Sequence, residues 1–118
     1  MNVGDDKMPY IQTRTNISVS PEQRENIKRR LGEAASIIGK SESWLMTEIV
    51  DNCKMYFRGD SSNSMAYIDV KLYGKGSNYD EMTRVLTEIT NSELGITGEH
   101  IYISYQEFDN WGWNGNNF

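Results

Sequence analysis

The sequence predicts an α+β fold, in which two β-α-β units form one four-stranded mixed sheet with two helices on one face. Three observations predict it. Segments in which β-branched and apolar residues recur with period two flank two segments of helical period. Both helical segments carry a start or stop signal. The order strand, helix, strand occurs twice, on either side of a glycine- and serine-rich loop, in halves of similar length without an internal repeat. A β-α-β crossover is right-handed in nearly all proteins, and a sheet must bury its apolar face, so both helices belong on the same side.

The first strand is "YIQTRTNIS", in which Ile11, Thr13, Thr15 and Ile17 alternate with Tyr10, Gln12, Arg14 and Asn16. Ser20 then reads as a helix N-cap, with Pro21 at the first helical position and Gln23 closing a capping box. Ile27, Leu31, Ala34, Ala35 and Ile38 share one face of that helix, and Gly39 supplies a left-handed stop. "WLMTEIV" is the second strand and "RGDSSNS" the central loop. In "MAYIDVKLY", Ala66, Ile68, Val70 and Leu72 form the apolar row of the third strand, which "GKGSN" breaks. The second helix runs from about Tyr79 to Leu94, with Met82, Val85, Leu86 and Ile89 inward, and stops at Gly95. "HIYISYQ" is the last strand, and the tail "NWGWNGNNF" is rich in turn residues and aromatics.

A chain of 118 residues holds one core and one domain. With 37 % hydrophobic and 25 % charged residues it falls in the globular range. Its 12 Lys and Arg stand against 17 Asp and Glu, for a net charge of −5, which argues against a nucleic-acid partner. Cys53 has no intrachain partner and, like the lone His100, reads as a packed or surface residue; no Cys/His cluster has zinc spacing. No metal or other cofactor is expected. No apolar run nears the ~20 residues of a membrane helix, and no hydrophobic N-terminal segment suggests a secretory signal. The expectation is a soluble, reduced, cytoplasmic protein with no membrane partner.

The sheet face away from the helices should carry Tyr10, Arg14, Tyr67, Lys71, Tyr102 and Ser104, too aromatic for water and too polar for a dry core. Other subunits would cover it. The ferredoxin-like fold has the same element order, and RNA-recognition modules stack bases on such a sheet. Here the aromatics are present and the surrounding positive charge is not.

"MP" opening the first strand, "GK" at Gly39-Lys40, the run from Phe57 through Ser62, "YGK" at Tyr73–Lys75, "IYISY" at Ile101–Tyr105 and "NWGWNG" occur in order over Pro9–Phe118. Together they resemble the macrophage migration inhibitory factor and D-dopachrome tautomerase family. The resemblance implies a homotrimer whose sheets surround a central channel, with a site at each subunit boundary. It also implies keto–enol tautomerisation of phenylpyruvate- or dopachrome-like acids, small aromatic keto acids, by an N-terminal proline.

Proton abstraction next to a carbonyl needs a base whose pKa lies near the working pH, and a secondary amine is lowered towards it by burial and a nearby cation. By the resemblance Pro9 is that base, and Lys40 is the cation that also holds the substrate carboxylate. Read without the family, Lys40 is a solvated lysine favourable to a helix C-terminus. The Tyr73 amide would bind the carboxylate, where the family usually has isoleucine. Tyr102 would enter from the adjacent subunit. Ser104 stands where asparagine is familiar, and its shorter hydroxyl puts that contact in doubt. Trp111 stands where valine is familiar and would add an aromatic wall, with Tyr105 as a further one. Trp113 reads as tail packing. The thiol oxidoreductase activity credited to a Cys-x-x-Cys pair in some members should be absent, because Met65 and Ile68 occupy those positions.

Residues 1–8 form an N-terminal extension ahead of the 9–118 domain. It reads as a mis-called start or cloning remnant, a cleaved leader, or a permanent segment. A proline within a chain has an amide nitrogen without useful basicity. Tautomerase activity is therefore conditional on Pro9 being the terminus. The other reading is a non-catalytic, cytokine-like binding trimer with Pro9 blocked, acting on a receptor protein after export without a signal peptide.

Overall fold

The computed structural model describes residues 8–118. Apart from Met8, the extension lies outside the described residues. Strand β1 spans Pro9–Thr15, helix α1 Pro21–Ala34, β2 Met46–Val50, β3 Ala66–Tyr73, α2 Tyr79–Leu94 and β4 Ile101–Phe108. The sheet order is β2-β1-β3-β4, with β1 parallel to β2, β3 parallel to β4, and β1 antiparallel to β3. Each β-α-β unit thus pairs its own two strands directly. This separates the fold from the split β-α-β arrangement of ferredoxin-like modules.

Alternation sorts the sheet into two faces. Ile11, Ile68, Val70 and Leu72 face the helices and are almost fully buried. They meet Ile27, Leu31 and Ile38 from the first helical segment and Met82, Leu86 and Ile89 from α2. Each such side chain, fully buried, contributes about 1.5–3 kcal/mol. Val85 is only partly buried at the edge of this core. On the other face the register sets Tyr10 opposite Lys71, Arg14 opposite Tyr67, Tyr67 opposite Tyr102, and Asp69 opposite Ser104. The mixed polar and aromatic row expected there is present.

The element boundaries differ from the sequence reading for local reasons. Strand β1 stops at Thr15 because the Asn16 side chain takes over the pairing, donating to the Asn63 carbonyl at 2.8 Å and accepting the Met65 N–H at 2.9 Å. The Ser20 capping box forms as predicted. The last turn, Ala35–Ile38, tightens into a 3-10 helix before Gly39, whose φ of 80° needs the residue without a Cβ. Strand β2 begins at Met46 rather than Trp44, because the Ser41 side chain caps a 3-10 turn over Glu42–Trp44. Gly112–Trp113 (β5) and Asn116–Asn117 (β6) form a hairpin around Asn114-Gly115, both at positive φ, the conformation that a two-residue turn demands.

Candidate active site

Pro9 opens β1 opposite Leu72 and is fully buried. A cleft of about 570 Å³ lies over it, walled by Tyr10, Trp44, Met46, Lys71, Trp111 and Trp113, with Met8 at its floor. The 3-10 turn after Lys40 brings Trp44 to this wall, and the hairpin brings Trp113 to meet it. The two indoles stand edge to face at 4.8 Å. Phe118 stacks on Trp113 at 6.4 Å and tilts against Tyr73 at 6.1 Å. Trp111 exchanges backbone hydrogen bonds with Phe118 and sets its ring edge-on to Phe108.

The Tyr73 backbone connects Met8 to Lys40 at this end of the sheet. Its N–H donates to the Met8 carbonyl at 3.2 Å. Its carbonyl accepts from Lys40 Nζ at 3.0 Å, and the Lys75 carbonyl accepts from the same ammonium at 2.9 Å. Lys40 is buried, with only 4 % of its surface exposed. This is not the solvated lysine of a helix end. Its charge is taken out of water, and the carbonyl dipoles of Tyr73 at the end of β3 and Lys75 in the turn beyond contribute to compensating it.

Among the predicted residues, Pro9 and Trp111 line this cleft. Lys40 and Tyr73 do not line it, but the Tyr73 hydrogen bonds tie both to the same end of the sheet. Tyr102 and Ser104 do not join them within the chain. Tyr102 lies opposite Tyr67, which from position 72 to position 67 of β3 is roughly 17 Å from the Pro9 pairing. It is 62 % exposed and meets Phe57 edge to face. Ser104 Oγ hydrogen-bonds the Tyr67 hydroxyl at 2.8 Å and donates to Asp69 at 3.4 Å. Tyr105 is not a cleft wall. Its ring stacks on Tyr79 at 4.4 Å, and its hydroxyl meets Thr83. Trp113 is more than tail packing, since it lines the cleft while it packs on Trp44. Sequence reasoning missed Trp44, Phe118 and the approach of Lys71, whose ammonium sits 3.4 Å from Asp69. The Asn114-Gly115 dipeptide, a strong hairpin signal, could have returned Trp113 and Phe118 to the site.

Two tyrosines, Tyr10 in the cleft wall and Tyr79 at the start of α2, have raised pKa values. The hydrogen bond from Tyr10 to Glu48 raises the Tyr10 pKa, with burial adding to it, and the same bond lowers that of Glu48. Tyr79 is pushed up to about 12, first by burial and then by its hydrogen bond to Glu107. Among the described residues no group of His, Cys, Asp and Glu is arranged to hold a metal ion, and no helix is long and apolar enough to cross a membrane.

A β-α-β pair doubled into one sheet, with a buried proline opening its first strand under an aromatic cleft, is the architecture of the tautomerase superfamily. The profile of the macrophage migration inhibitory factor (MIF) family matches residues 8–118, and the chain belongs to that family. It is 30 % identical to macrophage migration inhibitory factor of Xenopus laevis, covering 94 % of this chain and 99 % of that protein. Its fold is similar to the crystal structure of Leishmania major MIF2, with a TM-score of 0.88 and 31 % identity over 95 % of this chain and 98 % of the other. A homologue from Prochlorococcus marinus gives 0.82 and 26 %, over 92 % and 98 %.

Proposed function

We propose that the protein is a keto–enol tautomerase of phenylpyruvate-like acids, with Pro9 as general base once its nitrogen is the chain terminus. The observation that carries this reading is the Met8 carbonyl on the Tyr73 N–H. A peptide oxygen occupies the place where a substrate carboxylate would accept the same hydrogen, directly beside the Pro9 nitrogen. Removing the residues before Pro9 exposes that donor and converts an amide nitrogen into a secondary amine in one event.

The chemistry then follows from the residues. The amine lone pair takes the proton from the carbon next to the ketone. The C–H electrons become the enol double bond, the carbonyl π electrons move to the oxygen, and that oxygen receives a proton from the Pro9 ammonium directly or through water, which frees the amine again. The buried Lys40 charge and the surrounding apolar walls disfavour a second positive charge on Pro9, which keeps the amine unprotonated near neutral pH. Lys40 and the Tyr73 amide hold the carboxylate, while Trp44, Trp111 and Trp113 flank the ring. In the proposed homotrimer, joined through the open sheet face on which Tyr67 and Tyr102 are exposed, Tyr102 and Ser104 would reach the cleft of a second copy.

The test is the ultraviolet decay of phenylpyruvate enol with protein beginning at Pro9. Decay faster than buffer, lost on Pro9→Gly, supports the enzyme. A rate equal to buffer in a correctly trimmed trimer refutes it. The second reading, a binding trimer with Pro9 blocked, draws on the same Met8 contact. Met8 is itself buried at 3 % exposure and hydrogen-bonded, so a chain that keeps it fills its own site.

A further inference from the structure

One peptide group joins Lys40 to a carboxylate on the far strand. The Lys75 carbonyl that accepts from Lys40 Nζ and the Gly76 N–H belong to the same planar unit. That N–H donates to Glu107 Oε2 at 3.0 Å. We propose that Glu107, near the end of β4, is a positioning residue that locks the Lys75–Gly76 peptide so that its carbonyl faces Lys40. The inference rests on the role given to Lys40 above.

In a trans peptide the C=O and N–H point to opposite sides, so any rotation that turns the N–H from Glu107 also turns the carbonyl from the ammonium. Glu107 and Lys40 therefore hold the peptide from its two ends, an anion on the donor and a cation on the acceptor, and each polarises the bond the other makes. Lys40's other carbonyl is fixed differently. It belongs to the Tyr73–Gly74 peptide, whose N–H donates to the Phe108 carbonyl at 2.9 Å, a backbone bond that side-chain substitution leaves in place. Of the two peptides under Lys40, only the second depends on a side chain.

The carboxylate is itself restrained. Tyr79 donates to Glu107 Oε2 at 2.6 Å, and Lys75 Nζ stands 3.5 Å from Oε1. The Tyr79 ring is fixed by its stack on Tyr105. A Cβ at Gly76 would lie 2.5 Å from the Tyr79 hydroxyl and 2.9 Å from the Leu72 side chain, so glycine there lets the tyrosine reach the acid. The donors hold the Glu107 carboxyl below the usual carboxylate range, the Gly76 N–H contributing most, and it is an anion at neutral pH.

The experiment compares Glu107→Leu, which removes the acceptor of the Gly76 N–H, with wild type, both beginning at Pro9. The first readout is independent of activity: the rate at which a small acylating reagent modifies Lys40, followed by peptide mass, with Lys54 as an internal control. Loss of the lock should raise Lys40 modification several-fold and leave Lys54 unchanged. The second is kinetic. The KM for phenylpyruvate should rise about tenfold with a smaller change in kcat, the pattern of a weakened ground-state contact. Glu107→Asp, which keeps the charge at shorter reach, should fall between. Should Glu107→Leu fail to fold, Tyr79→Phe removes one restraint on the acid and should move both readouts the same way by less. Unchanged Lys40 modification in a folded variant overturns the proposal. Raised modification in a protein without tautomerase activity would uphold the lock and refute the enzymatic reading instead.

Discussion

The Met8 carbonyl and the Tyr73 amide are hydrogen-bonded at 3.2 Å across the start of β1 and the end of β3. The contact makes a prediction that separates two effects of the N-terminus. A chain beginning at Met8 has a free amine, but on the wrong residue, and its Tyr73 donor is still occupied. It should show no tautomerase rate above buffer and no binding of a non-reactive aromatic carboxylate by calorimetry. A chain beginning at Pro9 should show both. Equal carboxylate binding by the two forms would disprove the blockade at Tyr73.

Lys40 is predicted to serve stability as well as binding. Lys40→Met retains most of the buried volume but leaves the Tyr73 and Lys75 carbonyls without their shared donor. A buried acceptor left unpaired costs about 1–3 kcal/mol, and these bonds are only part-buried, so urea denaturation should show a loss at the low end, about 1 kcal/mol. The KM for phenylpyruvate should rise tenfold or more in the same variant. A fully stable Lys40→Met protein would mean that the turn rearranges to satisfy its carbonyls elsewhere.

The aromatic wall gives a third test. Trp113 meets Trp44 edge to face and stacks on Phe118, but it remains partly exposed. Trp113→Ala should therefore cost only about 1 kcal/mol of stability, the scale of an aromatic pair at a surface. Its larger effect should be a several-fold rise in KM, because the wall opens. Unchanged kinetics would remove Trp113 from the site.

How much of this was legible in the sequence depends on the range of the contact. Helix α2 spans Tyr79–Leu94 as read, and the Ser20 cap of α1 forms with Gln23, because periodicity and capping act within a few residues. The open-face residues were also legible, since alternation fixes them once the strand is known. Trp44 was not. Its apolar side chain extends the pattern of β2, and only the Ser41 cap turns it into a 3-10 helix that faces the cleft. Glu107 carries no signal at all, being one more charged residue near a strand end. Its meaning comes from a turn 31 residues away in sequence. Tyr102 and Ser104 illustrate a further limit, because within the chain their register sets them opposite Tyr67 and Asp69, far from Pro9.

The Glu107 network also predicts a pH dependence whose sign can be worked out. The Glu107 pKa is lowered in the folded protein, so the stability it contributes is fully present above the ordinary carboxylate pKa of about 4.3 and is lost as pH falls through the lower folded value. Tyr79 works in the opposite direction. Its folded pKa of about 12 exceeds the unfolded value near 10, so its contribution is fully present below pH 10 and is lost as pH rises through 12. The difference in Tm between wild type and Glu107→Gln should therefore be flat from pH 6 to 9 and shrink on acidification below about pH 4. A difference that instead changes between pH 6 and 8 would require a titrating partner other than Gly76, Tyr79 and Lys75, and the lock on the Lys75–Gly76 peptide would have to be redrawn.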